Sequence, residues 1–326
     1  MKIMYSQSFD AYFNIASEEF FLQNFDDDIF YLYQNSPSII VGRKQNTLAE
    51  INLEYVKENQ ISVVRRLTGG GAVFHDIGNL NFCFIIRNIT QHDSGFEKYT
   101  KPILEVLQGL GVNAILEGRN DLTIDGKKFS GNAKYVTNND LLQHGTILYM
   151  SKLADISKAL NVNPAKFHDK AVKSVQSRVT NVSNHLPSYV SLNDFIEIII
   201  EHVKKLYPES KYHVLNDQEI IAINNLASEK YKTWEWNYGK TPPYNFTKSI
   251  QTKGGNIQVS MIVKHGRIEE LQFYGDFFSK KDIDSFEKLF KNHPHEIDEM
   301  KRLLQKHPAD DYFENVTDDD LLGVLF

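Results

Sequence analysis

The sequence predicts an α+β fold built in two parts. Three observations carry that reading. Short β-rich runs separated by turn residues fill most of the chain up to Met150, and helical patterns follow. Asp125-Gly126, between Leu122–Ile124 and Lys127–Phe129, is a strong hairpin signal, because Asp-Gly suits the positive backbone dihedrals of a type I′ turn. Beyond Thr241-Pro242-Pro243 comes a three-run meander, and helical segments follow it.

The elements follow in order. After an opening strand, Asn14–Asn24 carries Ile15, Glu18, Glu19 and Leu22 at helical spacing. Ile29–Tyr33 and Ser38–Val41 read as strands, and Asn52 as the cap of a helix ending near Asn59. Val63-Val64 enters the Gly69-Gly70-Gly71 loop, which leads into strands at Ala72–His75 and Leu80–Ile86. Tyr99–Leu110 reads as a helix stopped by Gly111. A strand is expected at Thr146–Met150, then helices at Leu153–Leu160 and Ser191–Tyr207, the second opened by a Ser191/Asp194 capping box. The meander is Phe246–Thr252, Ile257–Lys264 and Ile268–Tyr274, with turns at Gly254-Gly255 and His265-Gly266. Ser279 is the expected cap for helices at Asp282–Phe290 and Ile297–Leu304. The domain boundary is expected near residues 240–246, giving parts 1–243 and 244–326.

Bulk properties narrow the function. The chain has 326 residues, 41% hydrophobic and 24% charged, enough for a substantial core. A net charge of -6 argues against wrapping nucleic acid. No apolar run approaches a membrane span, and the N-terminus turns polar too early for a signal-peptide core. Cys83 is the one cysteine, so neither an internal disulfide nor a cysteine-cluster metal site is available. It lies among alternating large apolar groups and reads as buried and unreactive. These properties fit a cytoplasmic protein, and a monomer is the default expectation.

The strongest local feature is Arg65-Arg66-Leu67-Thr68-Gly69-Gly70-Gly71-Ala72-Val73-Phe74-His75-Asp76. Glycines let a backbone approach a ligand closely, and successive N–H groups can cradle phosphate oxygens. A bare Gly-Gly-Gly reads as a turn. With two arginines before it and His75-Asp76 after it, the segment reads as an anion site. Strand alternation sends Arg65 and Arg66 to opposite faces, so one of them faces the ligand.

Gly118-Arg119-Asn120-Asp121 precedes the hairpin, and Lys127-Lys128-Phe129-Ser130-Gly131-Asn132-Ala133 follows it. Mg²⁺ takes few protein carboxylates and uses substrate phosphates for the rest, so Asp121 is the candidate metal partner. Lys127 reads as a solvated hairpin lysine. Lys128 stays open between that role and an inward charge for phosphate. His144-Gly145-Thr146 begins a strand, and by itself a lone histidine reads as structural. No Ser-His-Asp spacing, Walker loop or dinucleotide fingerprint appears.

Together these segments resemble the lipoate–protein ligase A family over nearly the whole chain. The family's Arg-Arg-x-x-Gly-Gly-Gly-Ala-Val-Phe-His-Asp stands at Arg65–Asp76, and its Gly-Arg-Asn-Asp at Gly118–Asp121. Its Lys-x-Ser-Gly-(Ser/Asn)-Ala stands at Lys128–Ala133, and its His-Gly-Thr at His144–Thr146. Lesser matches are Gly42–Asn46, Ser177–Asn181 and Trp234–Gly239. The resemblance implies a mixed β-sheet flanked by helices, shared with biotin ligases and related to class II aminoacyl-tRNA synthetases, plus a small C-terminal accessory domain. It implies ATP-dependent conversion of lipoate to lipoyl-AMP, then transfer to a lysine of a lipoyl carrier: an E2 subunit of a 2-oxoacid dehydrogenase, a glycine-cleavage H protein, or both. ATP and Mg²⁺ enter as co-substrates, with no tightly bound cofactor.

The resemblance also implies roles. Arg66 meets the nucleotide phosphate. Gly71, Ala72, Val73 and Phe74 line the adenylate, with the Val73 backbone near the adenine, and Gly70 belongs to the same substrate- and nucleotide-binding set. Lys128 lies between the lipoyl carbonyl and the phosphate, and Asp121 serves the metal or nucleotide. Asn120, Gly131, Asn132, Ala133, His75 and His144 complete the pocket. The alternatives are a lipoyl or octanoyl transferase of the same fold and a non-catalytic lipoate-binding protein. A cysteine-dependent transferase needs an accessible thiolate, and the chain has no cysteine after Cys83.

Overall fold

Strand β6 (Asn79–Ile86) shows how the sequence builds the first unit. All eight of its residues are buried. Leu80, Phe82, Phe84 and Ile86 point into one apolar core, so alternation turns Asn79, Asn81, Cys83 and Ile85 to the other face. A strand buried on both faces must be covered twice, and the helices do this. In the computed structural model, residues 1–89, 95–118, 120–137, 140–160, 178–240, 244–275, 277 and 279–326 are described. They divide into two compact units, Met1–Thr233 and Trp234–Phe326. The Thr241-Pro242-Pro243 connector lies outside the described residues.

The first unit holds an eight-stranded mixed sheet. Its strands are β1 (Lys2–Tyr5), β2 (Ile29–Gln34), β6, β7 (Ala114–Glu117), β8 (Asp121–Ile124), β9 (Lys127–Thr137), β10 (Asp140–Leu148) and β11 (Lys211–Tyr212). Their order is β11-β1-β2-β6-β10-β9-β8-β7. β1 runs parallel to β11 and to β2, and the remaining pairings are antiparallel. Helices Glu97–Gly109 and Leu192–Leu206 supply Tyr99, Ile103, Val106, Phe195, Ile199 and Val203 to the core on one face. The second helix is opened by the expected Ser191/Asp194 capping box. Helix Ala11–Asn24, capped by Asp10 rather than starting at Asn14, contacts β2 and β6.

A smaller sheet carries the glycine loop. β3 (Ser38–Val41) pairs in parallel with β4 (Ser62–Arg65) and antiparallel with β5 (Val73–His75). The loop is therefore the link between β4 and β5, on opposite sides of β3. Asp125 and Gly126 have φ of 50° and 70°, as a type I′ turn requires. The expected strands after that turn are longer than the sequence pattern suggested. β9 extends to Thr137 and β10 begins at Asp140, so His144 sits mid-strand instead of opening it. Gly145 interrupts the apolar pattern of β10, but cross-strand partners on both sides hold the strand through it.

The second unit is the expected meander: β12 (Tyr244–Thr252), β13 (Gly255–Lys264) and β14 (Arg267–Gly275). Ile257, Val259, Met261 and Val263 alternate into a core completed by helices Ile283–Leu289, Ile297–Lys306 and Asp318–Leu325. Ser279 does not cap the first of these. Asp282 does, its side chain accepting from the Ser285 N–H, while Ser279 pairs with Phe313.

Candidate active site

A cavity opens where the small sheet, the large sheet and helix Ala11–Asn24 meet. Arg66 and the loop Gly70, Gly71, Ala72 and Val73 line one side, with His75. Asn120, Lys128, Gly131, Asn132, Ala133 and His144 line the other. Ile15, Tyr33, Ile40, Asn81, Gly145 and Thr146 complete it.

The two arginines diverge from β4. Arg65 is fully buried, its Nη1 donating to the carbonyls of Gly42, Arg43 and Gln45 at 3.0, 3.1 and 2.8 Å, and its Nη2 to Thr47 Oγ1 at 2.7 Å. It braces the Gly42–Asn46 turn. That turn packs against the glycine loop so closely that a Cβ on Gly42 would fall 2.1 Å from the Gly70 carbonyl oxygen. Arg66 works on the loop itself. Its Nε donates to Thr68 Oγ1 at 2.8 Å, Nη1 to the Ile40 carbonyl at 2.9 Å, and Nη2 to the carbonyls of Gly69 and Gly71 at 2.6 and 2.8 Å. Burial lowers both guanidinium groups to about 10, so both stay charged at neutral pH.

The loop geometry follows from peptide planarity. In a trans peptide the carbonyl and the next N–H point in opposite directions. Turning the Gly69 and Gly71 carbonyls onto Arg66 therefore turns the N–H groups of Gly70 and Ala72 away from it. Gly70 has φ of 89°, a conformation that favours glycine. Around Gly69 and Gly71 a Cβ would meet nothing within 4 Å, so the openness of the loop there is not a packing requirement.

Lys128 is aimed by an irregularity in the sheet. Thr123 pairs with Lys128 but Leu122 with Ser130, so β9 carries an extra residue. Phe129 goes into the core, and Lys128 folds over Gly131, where a Cβ would stand 3.0 Å from both Cε and Nζ. Its Nζ is 2.7 Å from Asp121 Oδ1, both side chains about two-fifths exposed. Val179 and Thr180 of the Ser177–Asn181 segment brace the same residue, the Thr180 N–H donating to the Lys128 carbonyl at 2.9 Å. Ser177 and Arg119 lie outside the described residues.

A buried polar chain joins the two sides. Arg66 Nε–H reaches Thr68 Oγ1, which lies 2.8 Å from His144 Nε2. His144 Nδ1 is 2.8 Å from Glu18 Oε2, and Glu18 Oε1 accepts from the Tyr33 hydroxyl at 2.9 Å. Glu18 and Thr68 were not singled out from the sequence. Glu18 fits an ordinary helical pattern, and its only signal was a carboxylate on a buried face.

Twelve of the fourteen expected site residues line this one cavity. Phe74 does not: it is buried, and alternation on β5 separates it from its pocket-lining neighbours Val73 and His75. Asp121 stands behind Lys128 as its ion-pair partner. Asp76 is a structural residue, its carboxylate accepting from the N–H groups of Gly78 and Lys152 at 2.9 and 2.7 Å. Cys83 is fully buried in β6, and burial raises its thiol well above the usual range. No cluster of three or more His, Cys, Asp or Glu suited to a metal occurs among the described residues.

Known proteins carry the same organisation. Residues 10–204 match the family described as the lipoyl protein ligase A/B catalytic domain, and residues 241–325 the bacterial lipoate protein ligase C-terminus. The chain is 38% identical to the lipoate-protein ligase LplJ of Bacillus subtilis, covering 97% of each chain. Among solved structures it is similar to the bi-partite lipoate protein ligase of Thermoplasma acidophilum, described with its E2 lipoyl domain. That match has 29% identity and a TM-score of 0.66, covering 73% of this chain and 96% of the other. It is also similar to a lipoate-protein ligase A bound with ATP, at 25% identity and a TM-score of 0.64, covering 73% and 98%. The chain belongs to the lipoate–protein ligase family, and it is an enzyme of that activity.

Proposed function

We propose that the cavity forms lipoyl-AMP from lipoate and ATP and passes the lipoyl group to a lipoyl-domain lysine, with Lys128 and Arg66 as its electrostatic centre. The carrying observation is a lysine folded over a glycine, facing a loop whose carbonyls are drawn onto a buried arginine. In the first step a lipoate carboxylate oxygen attacks the α-phosphorus of ATP, and the bond to pyrophosphate breaks. Two anions must meet, so preorganised positive charge lowers the barrier. The outward N–H groups of Gly70 and Ala72 suit the phosphate, and Lys128 suits both the carboxylate and the phosphate.

In the second step the carrier lysine, as the free amine, attacks the mixed-anhydride carbonyl. The carbon–oxygen bond to AMP breaks and the amine proton passes to solvent. Lys128 offsets charge on the carbonyl oxygen and on the departing AMP. ATP brings magnesium with it. Asp121, whose Oδ1 lies 2.7 Å from Lys128 Nζ, would supply one of the few carboxylates that a phosphate-bound magnesium takes.

The acceptor reading is supported by the E2 lipoyl domain of the Thermoplasma system. An H protein is the second acceptor we propose. Among the described residues no helix is long and apolar enough to cross a membrane, and we place the reaction in the cytoplasm, on a monomer. A thioester transferase is disfavoured because the chain's one cysteine is buried with a raised thiol. The test is incubation with lipoate, MgATP and a purified lipoyl domain. AMP, pyrophosphate and a mass gain on the acceptor are expected. Acceptor lipoylation that proceeds without ATP overturns the proposal in favour of a transferase.

A further inference from the structure

His75 ends a second buried polar chain, separate from the one through His144. Its Nδ1 is 3.0 Å from Asn35 Nδ2. The orientation of that amide is fixed, because Asn35 Oδ1 accepts from Asn14 Nδ2 at 2.9 Å. Asn14 is fixed in turn. Its Oδ1 accepts from Ser6 Oγ at 2.6 Å and the Tyr31 hydroxyl at 2.9 Å, and its Nδ2 also donates to the carbonyls of Ser8 and Gln34. Asn14 and Asn35 are fully buried. Asn35 must donate to His75, so Nδ1 is the acceptor and the imidazole proton sits on Nε2.

That Nε2 is buried, lacks any protein partner, and belongs to a side chain that lines the cavity. An unpaired buried donor is expensive, and a bound acceptor removes the cost. Burial, with Arg66 and His144 nearby, pushes the imidazole down to about 3, so it donates as a neutral group. A neutral donor adds no charge to a site that already holds Arg66 and Lys128. It suits an acyl oxygen, since phosphate is better matched by a cation and a ring sulfur is a weak acceptor.

We propose that His75 Nε2–H donates to an oxygen of the acyl substrate, and that Asn35 and Asn14 are positioning residues that lock the tautomer. The assignment of the oxygen rests on the adenylating reading above; the tautomer does not.

The experiment pairs ¹⁵N-imidazole NMR with ATP–pyrophosphate exchange on the full-length protein. The wild type is expected to show a protonated Nε2 and a bare Nδ1. In Asn35→Asp the carboxylate accepts from Nδ1 instead, which moves the single imidazole proton off Nε2 and removes the donor. KM for lipoate and for octanoate then rises by the same factor, roughly 10- to 100-fold, with KM for ATP unchanged. His75→Gln keeps a donor and is expected to outperform His75→Leu, which covers the case of an unstable Asn35 variant. A wild-type proton on Nδ1 overturns the proposal, as does His75→Leu with an unchanged acyl KM. A rise confined to ATP, or to lipoate but not octanoate, overturns the acyl-oxygen assignment. Absence of exchange in the wild type overturns the adenylating reading and leaves the NMR result standing.

Discussion

Replacing Thr68 with valine removes one hydroxyl and leaves nearly the same volume. Thr68 is fully buried, so neither solvent nor a cavity complicates the change. Two contacts are lost together: the one from Arg66 Nε at 2.8 Å and the one to His144 Nε2 at 2.8 Å. A hydrogen bond to a charged group contributes about 1.5–3 kcal/mol, and a neutral one about 1 kcal/mol. Arg66 and His144 are buried apart from the atoms that line the cavity, so few replacement partners are within reach. The sum is about 2–4 kcal/mol of stability lost from the first unit, or roughly 5–15 °C of melting temperature for a unit of this size.

The loss also reaches the site, since Arg66 holds the Gly69 and Gly71 carbonyls. Affinity for ATP should fall along with the melting temperature. The assay is thermal unfolding and ATP–pyrophosphate exchange on Thr68→Val, with Thr68→Ser as the control that keeps the hydroxyl. Wild-type melting and exchange in Thr68→Val refute the view that Arg66 is positioned through Thr68.

Three further outcomes are expected. Lys128→Ala should fold normally and lose roughly a hundred- to a thousandfold in lipoyl-AMP formation, measured by single-turnover AMP release; near-normal turnover removes Lys128 from the chemistry. Gly145→Ala should destabilise by about 1–3 kcal/mol or more in urea titrations, because its Cβ would stand 2.2 Å from Asn132 Oδ1 and 2.6 Å from the Phe82 ring; an unchanged midpoint means the two strands can part there freely. In the second unit His295 is buried with its imidazole lowered to about 4, chiefly by burial and against its hydrogen bond to the Leu325 carbonyl. The unfolded chain, titrating near 6.5, takes up the proton first, so stability is full above about pH 6.5 and falls by about 1.4 kcal/mol per unit between there and about pH 4. His295→Gln should flatten that slope in urea midpoints compared at about pH 7 and about pH 5; an unchanged slope assigns the acid sensitivity elsewhere.

The chemistry-bearing segments were legible because each is contiguous. Arg65–Asp76 reads as an anion site through residue type and spacing, Asp121 and Lys128–Ala133 took their roles from the family resemblance, and β-rich runs bounded by turn residues placed most strands. The Asp125-Gly126 turn was legible for the same reason, since its φ values are set by local sterics. Elements with weak local signals were missed. β11 has two residues and exists through pairing with β1. β10 continues through Gly145 on cross-strand partners that no local pattern reveals. What tertiary structure alone decided was which polar residues act together. Glu18, Thr68 and His144 are far apart in sequence, as are Asn14, Asn35 and His75, and each group meets in a buried hydrogen-bonded chain. The sequence by itself pointed to an arginine-backed glycine loop as an anion site, because that property belongs to a short stretch of chain, whereas Lys128 took its expected role from the family resemblance. The fold decided that Lys128 leans over Gly131, that Phe74 faces away, and that His75 presents Nε2–H, because packing and partners across strands set those directions.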